Sequence, residues 1–149
     1  MTAEENKTVV MRYFEEAVDQ ANADLVDEMF TSDCIFHRGD YADPIKGVAA
    51  IKAIVLKVHE IYRGFKTTIY DMIGEDDLIA CRLKHNAVHR SKFTSRIGTF
   101  DVSDRPIEWS ANVFFRFEEG KIAEEWIARD ELGILLDLGI LPESDMQES

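Results

Sequence analysis

Arg116-Phe117-Glu118-Glu119-Gly120-Lys121-Ile122-Ala123-Glu124-Glu125-Trp126-Ile127-Ala128-Arg129-Asp130 holds two apolar runs broken by an acidic pair and a glycine. That pattern predicts a tight β-hairpin. Its first arm runs from Ile107 to Phe117 and its second from Lys121 to Arg129. Two registers fit. If Glu118-Glu119-Gly120 forms a three-residue loop with a bulge, Asn112, Phe114 and Arg116 share a face with Trp126 and Asp130. If the loop has two residues, Val113, Phe115 and Phe117 share it instead. Beyond the hairpin, Glu131 to Leu138 reads as a final helical turn, with Gly139 as its C′ residue and Pro142 after it.

Upstream of the hairpin the periodicity changes from strand to helix. Thr2 and Glu5 have capping-box spacing, and Val10, Phe14, Ala17 and Ala21 recur at helical period beside Tyr13. Asn22 can cap a second short helix carrying Leu25, Met29 and Phe30. A strand is expected over Cys34 to His37, then a polar loop from Arg38 to Gly47. Ile51, Ile54, Val55, Val58 and Ile61 mark a helix over Val48 to Tyr62, with Gly64 past its end. Strands follow at Phe65 to Ile73 and Leu78 to Val88, separated by the turn Gly74-Glu75-Asp76-Asp77. Arg90 to Pro106 is poorly patterned and is expected to hold a short strand and a loop.

Helices first and strands last predict an α+β fold. The expected architecture is a curved, mainly antiparallel sheet wrapped around N-terminal helices, a cone with an internal pocket. Residues 1–141 are expected to form a single domain and 142–149 an acidic tail. A length of 149 residues suits one domain with a real core.

Seventeen Lys and Arg against 29 Asp and Glu leave a net charge of −12. That excess of acid argues against nucleic acid and against anionic lipid as partners. No apolar run approaches the ~20 residues needed to span a bilayer. The polar, acidic start Met1-Thr2-Ala3-Glu4-Glu5 is unlike a signal peptide, so the expected location is cytoplasmic. Cys34 and Cys81 lie in apolar surroundings and read as buried free thiols. The charge is uneven: between Asp77 and Asp101 there is no acid, while Arg82, Lys84, Arg90, Lys92 and Arg96 are basic.

The hairpin sequence, followed by Leu135-Leu136-Asp137-Leu138-Gly139, resembles the SnoaL-like polyketide cyclases. These share a superfamily with ketosteroid isomerases and limonene epoxide hydrolases. Ile35-Phe36-His37, Gly47-Val48-Ala49-Ala50-Ile51, Leu78-Ile79-Ala80-Cys81-Arg82 and Asp104-Arg105-Pro106-Ile107-Glu108-Trp109 resemble the family's first strand, the helix after it and its central strands. The resemblance implies an apolar small-molecule ligand and a cofactor-independent general acid/base reaction on a carbonyl-bearing substrate, with no metal. The family's acid/base carboxylate would be Asp130, four residues after Trp126, and its pocket histidine His37. Asp130 can equally be the N-cap of the last helix.

Trp126 would wall the pocket beside the acid. Arg82, Asn112, Phe114, Tyr13 and His89 complete the expected substrate-binding set. His89 stands where the family often has Gly-Thr-His, here Ala87-Val88-His89. The strand before the hairpin lacks the family's second pocket histidine. His85 and His89 are ~13 Å apart on a strand, too far to share a metal ion. A non-catalytic binder of an apolar molecule and an epoxide-hydrolase-type hydrolase are the rival readings. Both faces of the Trp109 to Phe117 strand carry apolar residues, so a homodimer through the sheet is expected.

Overall fold

A computed structural model describes residues 1–144. Residues 145–149, most of the expected acidic tail, lie outside the described residues. Helix α1 (Ala3–Arg12) begins where Thr2 Oγ1 accepts the Glu5 N–H at 3.1 Å. The helix then widens into a π-helical segment, Tyr13–Val18. Such insertions rotate the residues around them and often mark functional sites. Here Tyr13, Phe14, Ala17 and Val18 are all buried. After α2 (Leu25–Met29) the chain enters β1 (Phe30–Arg38), so Phe30 belongs to the strand rather than to the second helix. The short β2 (Ile45–Lys46) pairs with β1 before α3 (Val48–Ile61), whose buried stripe includes Ile51 and Val55.

Next come β3 (Tyr62–Glu75) and β4 (Leu78–His89). Gly64, with φ +64°, sits at an irregularity of β3 between Arg63 and Lys66, not at a helix end. The poorly patterned segment forms a hairpin, β5 (Lys92–Ser95) and β6 (Gly98–Asp101), separate from the main sheet. Then β7 (Pro106–Glu118), β8 (Lys121–Arg129) and α4 (Glu131–Asp137) complete the described chain.

The main sheet has the order β2-β1-β8-β7-β4-β3. It is antiparallel except where β1 runs parallel to β8. Along β7, Ile107, Trp109, Ala111, Val113, Phe115 and Phe117 face the core, while Glu108, Ser110, Asn112 and Phe114 face out. The N-terminal helices and α3 lie on the inner face. Cys34 and Cys81 are buried free thiols, as their surroundings suggested. No helix among the described residues is long and apolar enough to cross a membrane.

The β7–β8 hairpin closes through Glu119 and Gly120, with Glu118 paired to Lys121. Both loop residues have positive φ, 49° and 80°, as a type I′ turn demands. Phe117 pairs with Ile122 but Arg116 pairs with Glu124, so Ala123 is an unpaired bulge residue. The loop thus has two residues, and the bulge still sets Asn112, Phe114 and Arg116 beside Ala128, Trp126 and Glu124.

A β-branched or methyl-bearing residue strains this turn, whereas asparagine tolerates its first position. Gly120→Ala should lower stability by about 1 kcal/mol, and Glu119→Asn should raise it by about 0.5 kcal/mol. Urea unfolding of the two variants against the parent checks both signs.

Candidate functional site

The bulge decides which β8 side chains point inward. Glu125, Ile127 and Arg129 line an internal cavity of about 520 Å³, while Glu124 and Trp126 turn to the outer sheet face with Asn112 and Phe114. Arg129 is ~13 Å up the strand from Glu125. The next buried residue below Glu125, Ala123, does not line the cavity, so Glu125 sits at its closed end. The π-helical segment brings Tyr13 and Phe14 to the same space, and α3 contributes Val55 and Val58. Tyr62, Phe65 and Trp109 make an aromatic wall.

Glu125 has no exposed surface, and neither carboxylate oxygen has a hydrogen-bond partner among the described residues. Burial disfavours its charged form and pushes its pKa up to about 8, against the smaller opposing effects of Arg38 and the neighbouring Tyr13 hydroxyl. Burial first, and the Glu125 charge second, hold the Tyr13 phenol well above its ordinary value. Tyr13 therefore keeps its proton at any physiological pH. His85 is pushed down to about 3, by burial first and then by Arg129 and Arg38, so its ring is neutral.

The mouth is polar. Arg38 donates to both oxygens of Asp40, the second at 2.8 Å. Arg129 is ion-paired to Asp40 at 3.5 Å and to Glu131. Lys57 of α3 and Lys92 and Arg96 of the β5–β6 hairpin stand around them.

Of the residues expected at the site, Tyr13 lies in this cavity. Asp130 does not. It is exposed and its Oδ1 accepts the Gly133 N–H at 3.0 Å, capping α4. The expectation that Trp126 and Asp130 share the pocket face is corrected here: their face is the outer one. His37, Trp126, Asn112 and Phe114 do come together, but around a shallow hollow on that outer face. The His37 ring stacks on Trp126 at 5.5 Å and its Nε2 lies 2.6 Å from Glu124 Oε2. Arg82 also faces outward, pairing with Asp71 at 2.8 Å and covering the Tyr70 ring. His89 is fully buried between Tyr62 and Phe93 and lines neither space. Glu125, His85, Arg38 and Arg129 were not anticipated as site residues. The signal for Glu125 was Ile122-Ala123, two successive apolar residues that break strict alternation and mark the bulge.

A family model of the SnoaL-like polyketide cyclases matches residues 8–138. The chain belongs to the SnoaL-like polyketide cyclase family. Solved structures agree with the fold. TsrD from Streptomyces laurentii is 16% identical, with a TM-score of 0.81 over 95% of this chain and 99% of that one. A SnoaL-like polyketide cyclase from Agrobacterium tumefaciens is 17% identical, with a TM-score of 0.75 over 93% of this chain and 100% of that one. A protein with a ketosteroid isomerase-like fold from Catenulispora acidiphila, in complex with trimethylamine, is 13% identical with a TM-score of 0.71 over 90% and 93%. No curated protein matches the sequence.

A carboxyl whose pKa is raised on folding favours the folded state fully below its unfolded value, and loses that contribution as pH rises through the folded value. For Glu125 the window runs from the ordinary carboxylate value of 4.5 to about 8. Glu125→Gln keeps the shape and removes the charge. The variant should therefore gain a few kcal/mol on the parent between pH 4.5 and pH 8. Thermal or urea unfolding across that range reads the slope directly. A pH-independent difference would place Glu125 in a solvated site.

Proposed function

We propose that this SnoaL-like protein catalyses proton transfer at carbon, with Glu125 as the general base and acid. The observation that carries the reading is an enclosed carboxyl, at the closed end of an apolar cavity, with no hydrogen-bond partner. A raised pKa near the working pH suits a group that must both accept and return a proton. An apolar substrate enters with its carbonyl toward Tyr13, whose O–H donates to the oxygen. The Glu125 carboxylate takes a proton from the adjacent carbon, and the electron pair moves onto the oxygen as an enolate. Tyr13 stabilises that oxyanion, an arrangement worth most in a water-excluded site. The enolate carbon is then reprotonated by Glu125, or it attacks an internal carbonyl whose oxygen takes the proton from Glu125 as the new carbon–carbon bond forms. Both outcomes are redox-neutral and regenerate the carboxylate.

Exchange of the acidic C–H protons of β-tetralone in heavy water, followed by NMR, tests this without knowledge of the natural substrate. The parent should accelerate exchange over buffer, with a rate that rises with pH and levels off near 8. Glu125→Gln should lose about 10²-fold or more. Tyr13→Phe should lose about 10²-fold, as removal of an oxyanion donor does. Asp130→Asn retains a good N-cap and should exchange at the parental rate. Tight binding of β-tetralone without accelerated exchange would favour the non-catalytic binder.

We also propose a homodimer through the outer sheet face. Ile73, Ala80, Phe114, Trp126 and His37 are successive cross-strand partners, and the first four form an apolar belt over four strands. Ile73 and Phe114 are 69% and 49% exposed, more than a solvated sheet face needs. Sedimentation at micromolar concentration should give a dimer for the parent and a monomer for Phe114→Glu.

A further inference from the structure

His85 takes no part in the proton transfer just described, yet its ring is held with unusual care. Thr67 Oγ1 lies 2.9 Å from His85 Nδ1 and 2.7 Å from Asp19 Oδ1. The Thr67 backbone N–H donates to the other carboxylate oxygen, Oδ2, at 3.0 Å. A threonine hydroxyl has one proton. At 2.7 Å it is donated to Asp19 Oδ1, so that proton lies on the Asp19 side. Thr67 Oγ1 is left with lone pairs facing His85, so Nδ1 must carry the ring proton and donate it. The ring is neutral, so Nε2 is then bare.

The surroundings give Nε2 nothing to bond. Phe14, Phe65 and Trp109 pack round the ring with centroids 6.3, 4.8 and 5.3 Å away. Among the described residues Nε2 has no hydrogen-bond partner, and His85 is one of the residues lining the cavity. A site built to accept a hydrogen bond leaves a buried acceptor unpaired when the ligand lacks the donor, and discriminates accordingly.

We propose that His85 is a fixed hydrogen-bond acceptor that selects ligands bearing a hydroxyl group (a phenol, enol or alcohol) on an apolar carbonyl-bearing frame. The inference rests on the cavity being the ligand site, but not on Glu125 being the base. Asp19 and Thr67 are positioning residues: they lock the tautomer and never touch the ligand. The carbonyl end lies toward Tyr13 and Glu125, and the hydroxyl end toward β4 and the Trp109 wall. The pocket thus asks for an acceptor and a donor at separated points of one ligand.

Nitrogen-edited NMR of the imidazole reads the tautomer without any ligand. The parent should show His85 protonated at Nδ1 and bare at Nε2. Thr67→Val, which removes the acceptor, should shift His85 toward the Nε2–H form. Binding is then compared for β-tetralone and its analogue with a phenolic hydroxyl on the aromatic ring, by calorimetry. The parent should bind the phenol about tenfold tighter or more. His85→Phe should bind both equally, and β-tetralone as well as the parent does. Thr67→Val should lose most of the preference while keeping its cavity. An Nε2–H tautomer in the parent, equal binding of the two probes, or a preference that survives His85→Phe would each overturn the proposal. Failure of β-tetralone exchange with this preference intact would overturn the Glu125 reading alone.

Discussion

The unpaired residue Ala123 in β8 settles which of two adjacent acids is enclosed. Glu124 and Glu125 are chemically equivalent, and strand alternation sends one to each face. Without the bulge, pairing carried back from the Glu119-Gly120 turn would put Glu124 and Trp126 in the cone and Glu125 outside. With it, Ile122 and Ala123 both fill the core and every later β8 residue changes sides. Glu124 then meets His37 and Arg116 on the outer face, partly buried between them. Glu125 is enclosed beside the Tyr13 ring and has no exposed surface. The same inversion takes Asp130 out of the cone and leaves it free to cap α4. Bulges near sites re-aim side chains in this way.

That placement opposes stability, and the fold tolerates it because its remaining parts agree. The helix–strand core from Val10 to Leu138 is continuous. The π-helical turn at Tyr13–Val18 is a second local irregularity, and it too serves the cavity, by bringing Tyr13 and Phe14 side by side onto it. Two departures from regular structure therefore meet at one carboxyl. A buried acid without partners is costly in a structural role and useful in a proton-transferring one, which is why strained or unsatisfied groups concentrate at working sites.

The sequence carried the architecture well because hydrophobic period and turn chemistry are local. β8 from Lys121 to Arg129, the Gly139 helix end and the Thr2 cap follow from neighbouring residues alone. The site was less legible because it depends on parity, and parity depends on one bulge that period-two reasoning smooths over. The residues expected together, His37, Trp126, Asn112 and Phe114, are in fact together. What failed was the sign of the face. Family likeness supplied Asp130 by its place at the end of β8, but a position at a strand end says little about the direction of a side chain. His85 was seen as a metal-ligand question and dismissed as such, while its real partner, Thr67, sits on another strand and was invisible to spacing.

The basic stretch from Arg82 to Arg96 also divides once the strands are placed. Arg82 and Lys84 face outward and are matched by Asp71 and Glu108, and Arg90 is spent on the carbonyls of His59 and Tyr62. Lys92 and Arg96 reach the cavity mouth, where Arg38 and Arg129 already stand. A ring of free cations there would pull Glu125 back toward an ordinary acid. Asp40 and Glu131 prevent that by engaging the two arginines nearest the interior. Desolvation therefore prevails at Glu125, while the residual positive field still disfavours a proton on His85. Burial thus keeps both interior groups neutral at once, the carboxyl by keeping its proton and the imidazole by refusing a second.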